Sequence, residues 1–187
     1  SARVVQISIE KFTLIGATTR LGLLSRPLRD RFGIPLQLSF YEPEDLMKII
    51  ILNSKKLKFL ISEDSAYEIA KRSRGTPRIA IRLLKRIIDF SIVNEEDKID
   101  LKSAKESLKK MKIDSEGLDD MDRKYMNCIA YDFHGGPVGI ETLSAALLEH
   151  KDIIEDVIEP YLMQRGLVQR TSRGRILSQK GLEHIKK

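Results

Sequence analysis

The sequence predicts a mixed α and β chain in three parts, and three observations predict it. Near the start, residues 12–18 and 34–40 are short apolar runs of strand length, each closed by polar or turn-forming residues. Residues 43–114 carry apolar residues at helical spacing with little sign of strand. Residues 115–187 run helix, helix, helix and then two short segments flanking a glycine-containing turn. The expected boundaries are residues 1–42, 43–114 and 115–187.

In the first part, Phe12-Thr13-Leu14-Ile15-Gly16-Ala17-Thr18 reads as a buried strand that delivers the hydroxyls of Thr18 and Thr19 to the edge of a sheet. Ser25 and Pro27 supply a helix start and Gly33 a stop, so residues 28–32 form a turn or two of helix from which Arg29 and Arg31 project. Residues 34–40 alternate around Leu36, Leu38 and Phe40, a second strand with Pro35 near its beginning. Tyr41-Glu42-Pro43 ends this unit.

The second part is helical. Residues 44–57 form one helix, with Glu44 and Asp45 in its first turn, where the macrodipole favours anions. A second helix starts at Ser62 as N-cap and stops at Gly75, and a third spans 76–93 with Ile79, Ala80, Leu83, Leu84, Ile87 and Ile88 as its core stripe. A fourth, over 101–111, completes the bundle, and residues 112–118 link it to the third part. There, residues 121–133, 141–149 and 152–165 are helices, with Pro160 expected to bend the last of them. Residues 167–171 and 175–178 then flank Ser172-Arg173-Gly174 as a β-hairpin, which gives a winged-helix pattern.

The chain has 187 residues, 42% of them hydrophobic, enough for real cores. Its net charge of +6 is unevenly placed: residues 118–160 hold 3 basic and 10 acidic side chains, whereas residues 161–187 hold 7 basic and 1 acidic. A basic block of that kind suits phosphate contact. The single cysteine, Cys128, excludes an internal disulfide, and there is neither a long apolar span nor a charged-then-apolar leader, so an intracellular protein is expected. The three histidines lack partners at metal-ligand spacing, and no serine or cysteine stands in a nucleophile context.

Three places can carry chemistry. Thr76 caps a helix and Pro77 starts it, so Arg78 falls in the first turn, where the macrodipole disfavours a cation by about 0.3–1 kcal/mol. A nucleotide phosphate beside that helix end would reverse the cost. Arg29 and Arg31, two residues apart on a short helix, point in different directions, and a guanidinium there suits charge on a phosphoryl group in transfer, including one held by a neighbouring subunit. Finally, Arg170, Arg173 and Arg175 cluster on and beside a turn with no acidic residue, a cationic tip suited to a DNA backbone. What is absent is a phosphate cradle. No Gly-x-x-x-x-Gly-Lys-[Ser/Thr] occurs, nor an apolar strand ending in an Asp-Glu pair for magnesium, so these residues alone are expected not to hydrolyse ATP.

Six strings together closely resemble the RuvB family of bacterial Holliday junction branch migration motors. They are Phe12-Thr13-Leu14-Ile15-Gly16-Ala17-Thr18-Thr19-Arg20, Pro27-Leu28-Arg29-Asp30-Arg31-Phe32-Gly33, Gly75-Thr76-Pro77-Arg78-Ile79-Ala80, Met121-Asp122-Arg123-Lys124, Gly135-Gly136-Pro137-Val138-Gly139 and Gln169-Arg170-Thr171-Ser172-Arg173-Gly174-Arg175. The resemblance covers essentially the whole chain. It implies the C-terminal part of an AAA+ α/β ATPase domain, a small all-helical AAA+ lid and a winged-helix head, in a homohexamer that surrounds double-stranded DNA, binds ATP, and works with RuvA and RuvC in recombination and repair. It also implies roles: Thr18 and Thr19 as the first sensor, Arg29 and Arg31 as the arginine-finger segment, Arg78 as the second sensor, Tyr41 as a nucleotide contact, and Arg170 and Arg175 as DNA contacts with Arg173 between them. The Mg2+ site is expected in a segment preceding Ser1.

Two alternatives differ in kind. A clamp-loader-like AAA+ subunit would share sensors and finger, although its usual collar is helical. A non-catalytic winged-helix regulator would read DNA with its third helix. Against that, residues 152–165 carry Asp152, Glu155, Asp156 and Glu159, a poor face for the major groove.

Overall fold

The computed structural model describes residues 10–18 and 21–186. The chain divides into two units, 1–39 and 40–187. In the first, a turn of 3-10 helix at Leu21–Leu23 precedes a short helix α1 (Arg26–Arg29), with Pro27 at its start as expected. The strands expected over 12–18 and 34–40 do not form. Leu14, Ile15, Leu36 and Leu38 are exposed, the last at 94%. A strand is stable only when a neighbour takes up its N–H and C=O groups, and among the described residues of this unit no such neighbour exists. What local packing there is comes from Phe32, whose ring lies so close to Gly16 that a Cβ there would sit 3.1 Å from Cζ.

The second unit holds two hydrophobic cores. Around the first pack α2 (Pro43–Lys56), α3 (Glu63–Lys71), α4 (Pro77–Val93) and α5 (Leu101–Lys110). Leu46, Ile50, Ile69, Leu84, Ile87 and Leu108 are fully buried there, each contributing about 1.5–3 kcal/mol by leaving water. Helix α3 starts where Ser62 accepts from the Ser65 N–H, and α5 starts at an Asp100–Ser103 capping box. Two very short strands without a sequence signal, β1 (Leu60–Ile61) and β2 (Lys98–Ile99), pair in parallel and tie the α2–α3 and α4–α5 connections together.

The second core gathers Leu118, Tyr125, Met126, Ile129, Leu143, Ile154, Ile158, Leu162 and Leu167. Helix α6 (Asp120–Asn127) is capped by Asp119 with Asp122 in reciprocal pairing, then widens into a π turn at Cys128–Asp132. Helix α7 (Ile140–Leu147) follows, then α8 (Lys151–Ile153), a second π turn (Ile154–Ile158) and α9 (Glu159–Gln164). Pro160 has no N–H and its ring would clash with the carbonyl one turn back, so the helix accommodates it by widening just before.

The hairpin consists of β3 (Val168–Thr171) and β4 (Gly174–Leu177), antiparallel, with Thr171 paired to Gly174. The loop is therefore two residues, Ser172 and Arg173, not the three expected, because Gly174 joins the ladder. Val138 adds a bridge to Arg175, its N–H and C=O bonded to that residue at 2.9 and 2.8 Å. Only a hydrogen fits at Gly174, where a Cβ would stand 2.4 Å from the Val138 oxygen. A final helix α10 (Gln179–Ile185), capped by Ser178, occupies part of what composition alone marks as a basic block. Among the described residues no helix is long and apolar enough to cross a membrane.

Candidate functional site

The start of α4 has Pro77 in its first turn as the sequence predicts, but Thr76 does not act as the expected side-chain cap. Gly75 sits at φ 66°, and its carbonyl accepts from the Tyr41 N–H at 2.9 Å, which lays the Phe40-Tyr41 segment directly against the corner. A Cβ at Gly75 would be 2.6 Å from Phe40 Cβ, so the approach needs glycine. Thr76 does not cap the helix through its side chain; its hydroxyl donates to the Arg74 carbonyl at 3.2 Å instead. The first N–H groups of a 17-residue helix thus lack a side-chain acceptor, and Arg78 stands among them exposed and without an ion pair among the described residues. Tyr41, whose N–H makes the bond to Gly75, is half exposed.

From Arg78 an open groove of about 720 Å³ runs along α4, lined by Arg82, Lys85 and Arg86 over Leu57 and Ile81. Arg86 bonds Asp89 at 3.2 Å, and the other three cations face solvent. An uncapped helix N-terminus, a guanidinium and an aromatic side chain at one corner are a partial fit for a nucleotide: they can hold phosphate charge and cover a base, and they supply no cradle.

In the first unit, Arg29 lies in α1 and Arg31 beyond its end, where the Arg31 N–H is held by the Leu28 carbonyl at 3.2 Å. Both are exposed. Thr18 is exposed as well and makes an interaction within the chain, whereas Thr19 lies outside the described residues.

The hairpin differs most from expectation. Its three arginines do not share one mobile tip. Arg175 is buried, its Nε donating to Glu159 at 2.7 Å and its Nη2 to Glu155 at 2.7 Å. Arg170, half exposed, reaches the same two carboxylates at 2.6 and 3.1 Å. Only Arg173 points away, its backbone N–H held by the Thr171 hydroxyl at 3.3 Å. The turn itself has no acidic residue, but α9 and the π turn before it supply two. Glu155 and Glu159 are four residues apart and so share a face. The buried Glu159 also accepts from the Tyr125 hydroxyl at 2.9 Å.

Electrostatics follow from that arrangement. Burial alone would raise the Glu159 pKa, yet the hydrogen bonds from Arg175, Arg170 and Tyr125 outweigh it and hold the carboxyl below its usual range. Burial works against the Arg175 charge too, and Glu159 and Glu155 outweigh it, so its pKa rises. Tyr125 is pushed upward by burial and by the Glu159 charge. The buried Cys128 thiol is pushed up to about 11, first by burial and then by Asp132, which makes it an inert packing group.

Sequence reasoning missed the carboxylates. Two glutamates at i, i+4 shortly before an arginine hairpin are the available signal, and by their charge alone they mark only a poor face for the major groove. It also missed Arg74, which lies between the two cores. Asp122 pairs with the Arg74 guanidinium while accepting from the Asp119 N–H at 2.9 Å. Asp122 is buried, and that burial, opposed by Arg74 and by the Asp119 N–H and aided only by the Asp119 charge, pushes its pKa up to about 6.

Comparison with known proteins accounts for all three parts of the chain. Three family models match in order: the RuvB P-loop domain of a Holliday junction DNA helicase over residues 1–38, the RuvB AAA lid domain over 41–114, and the RuvB C-terminal winged helix domain over 115–186. The Holliday junction branch migration complex subunit RuvB of Paramagnetospirillum magneticum is 52% identical over 185 residues, 99% of this chain and 53% of its own length. The solved Thermotoga maritima RuvB branch migration motor superposes with a TM-score of 0.89 at 48% identity, covering 95% of this chain and 60% of that one. A variant of the same Thermotoga protein gives 0.90 at 47% identity, with 96% and 60% covered. The chain thus spans a little over half the length of these relatives, and it belongs to the RuvB family.

Proposed function

We propose that this chain is the nucleotide-sensing and DNA-contacting portion of an ATP-driven motor that moves duplex DNA at Holliday junctions in recombination and repair. The observation that carries the reading is the Arg78 corner: a helix end without a side-chain cap, a guanidinium with no ion pair among the described residues, and Tyr41 held there by its bond to Gly75. ATP bound there would supply the free energy of phosphoryl transfer. This chain would contribute recognition of it, with Arg78 and the α4 N–H groups holding phosphate charge and Tyr41 lying against the base. Thr18 and Thr19 are assigned to the first sensor. Arg31, or Arg29 beside it, is assigned to a nucleotide held by a neighbouring copy, which fits their exposure.

In this reading residues 1–42 close a large ATPase domain, 43–114 form the lid and 115–187 the head. Arg173 and the exposed side of Arg170 meet the DNA backbone, while Arg175 sets the hairpin that presents them. The site residues present supply no magnesium ligands, and Mg2+ with the phosphate cradle belongs to a preceding P-loop segment. The working assembly would be a cytoplasmic homohexamer around double-stranded DNA, cooperating with RuvA and RuvC.

The test is ATP turnover with the P-loop segment joined to residues 1–187. DNA-stimulated hydrolysis is expected, with loss of at least about 10²-fold in Arg78→Ala and Arg31→Ala, since one transition-state charge donor is worth roughly that. Unchanged turnover in both variants would overturn the assignment, as would hydrolysis by residues 1–187 alone.

A further inference from the structure

Where the α2–α5 core meets the α6–α10 core, the junction is built to resist bending. Arg74, four residues before Arg78, adopts φ 53°, an unusual backbone for a residue with a Cβ. Its side chain leaves the first core and enters the second. Nε donates to the Gly117 carbonyl at 2.8 Å, Nη2 pairs with the buried Asp122 and lies 3.3 Å from Asp119, and the guanidinium stacks 4.8 Å from the Tyr161 ring centre. Tyr161 in turn donates its hydroxyl to the Glu116 carbonyl at 2.6 Å.

Backbone contact reinforces this. Gly117, at φ 78°, comes so near the end of α3 that a Cβ would be 2.7 Å from the Arg72 oxygen. Arg72 donates to the Ile113 carbonyl at 3.1 Å, and Arg123 to the Leu118 carbonyl at 2.9 Å. The link between the cores is therefore pinned from both sides over its length rather than left as a tether.

A buried carboxylate, a largely covered guanidinium and a stacked aromatic ring are an expensive way to join domains, because an apolar contact of the same volume often stabilises as well or better. What the planar guanidinium supplies is a fixed angle, since its fork and its face are both engaged. The joint also lies next to the corner that Gly75 and Tyr41 form at the head of α4. We infer that Arg74, Asp122 and Tyr161 are positioning residues that make the lid and the winged-helix head one rigid lever, so that displacement of the Arg78 corner is delivered to the hairpin instead of being absorbed at residues 112–118. The consequence for motor output rests on the function proposed above. The rigidity does not.

Rigidity is measured directly on this chain. Spin labels at Glu106→Cys on α5 and Ala145→Cys on α7, in a Cys128→Ser background, read the distance distribution across the joint. Both labelled positions are exposed. A single narrow distribution is expected with the joint intact, and a clearly broadened one in Arg74→Met and Asp122→Asn. Should either fail to fold, Arg74→Lys keeps the charge but loses the fork and the stacking, and it must broaden too. Equal widths in the folded variants and the parent overturn the inference. With the P-loop segment joined, ATP turnover and DNA affinity in Asp122→Asn are expected within about twofold of the parent, while base pairs migrated per ATP fall about 5–150-fold, the usual range of inter-site coupling. A proportional fall in all three readouts would mean that the residues only hold the fold, and would overturn the lever. A parent without turnover would sink the motor reading and leave the distance measurement to judge the joint.

Discussion

Replacing Glu159 with alanine removes a carboxylate on which three side chains converge. Arg175, itself buried, keeps only Glu155, and the Tyr125 hydroxyl loses its acceptor. Removing one partner of a buried pair costs about 3–5 kcal/mol, because the remaining charge stays out of water without compensation. At this chain length that corresponds to a melting temperature lower by roughly 6–20 °C, at 2–4 °C per kcal/mol. Urea unfolding followed by circular dichroism gives the free energy directly, with an unchanged m-value as the sign that the folded state is otherwise intact. Glu141→Ala is the control, since that carboxylate meets Lys151 at the surface and is largely exposed. A Glu159→Ala cost below about 1 kcal/mol, or one equal to the control, would refute the claim that the hairpin is held by buried charge. The double change Glu159→Leu with Arg175→Met should recover part of the loss, because an apolar pair of similar volume carries no desolvation penalty, while the Tyr125 hydroxyl still lacks its acceptor.

Three further outcomes follow from the same geometry. Gly117→Ala and Gly135→Ala both place a Cβ at positive φ, but only the first meets backbone, 2.7 Å from the Arg72 oxygen, whereas nothing lies within 4 Å of the second; in urea unfolding Gly135→Ala should cost about 1–2 kcal/mol and Gly117→Ala clearly more. With acid, two carboxylates should move in opposite directions. Glu159, held below its ordinary value of 4.5, stabilises the fold above that pH and loses its contribution as pH falls through its folded pKa, so the gap between the parent and Glu159→Gln should narrow as pH is taken progressively below 4.5. Asp122, raised from 3.8 to about 6, takes up a proton on folding, so its contribution grows as pH falls from above 6 toward 4, a rise that Asp122→Asn should lack. Finally, Arg173→Ala should weaken binding to random duplexes uniformly and reduce the magnitude of the log–log salt slope by about 0.9, the value for one phosphate contact, in an electrophoretic titration.

The helices were legible because their apolar stripes are local. Leu83, Leu84, Ile87 and Ile88 predict both α4 and the side of it that is buried. Gly75 and Thr76-Pro77 marked the α3–α4 corner, and Arg78 was singled out there by its conflict with the helix dipole. The strands expected at residues 12–18 and 34–40 have the right composition, but a strand also needs a neighbour that composition cannot provide. The π turns left no trace beyond Pro160. Charge pairing between elements was the larger omission. Asp119 and Asp122 look alike in sequence, and one is a half-exposed cap while the other is buried against an arginine 48 residues away. The hairpin arginines were read from their own turn alone, although the glutamates that hold two of them lie on the preceding helix.

That last arrangement bears on transplantation. A hairpin is usually treated as a modular part, to be exchanged between proteins by splicing at its two ends. Here the splice would carry away Arg170 and Arg175 and leave Glu155, Glu159 and Tyr125 behind, stranding charge on both sides of the cut. The smallest exchangeable piece runs from α6 through β4, and a graft shorter than that would carry the arginines without the carboxylates and phenol that orient them.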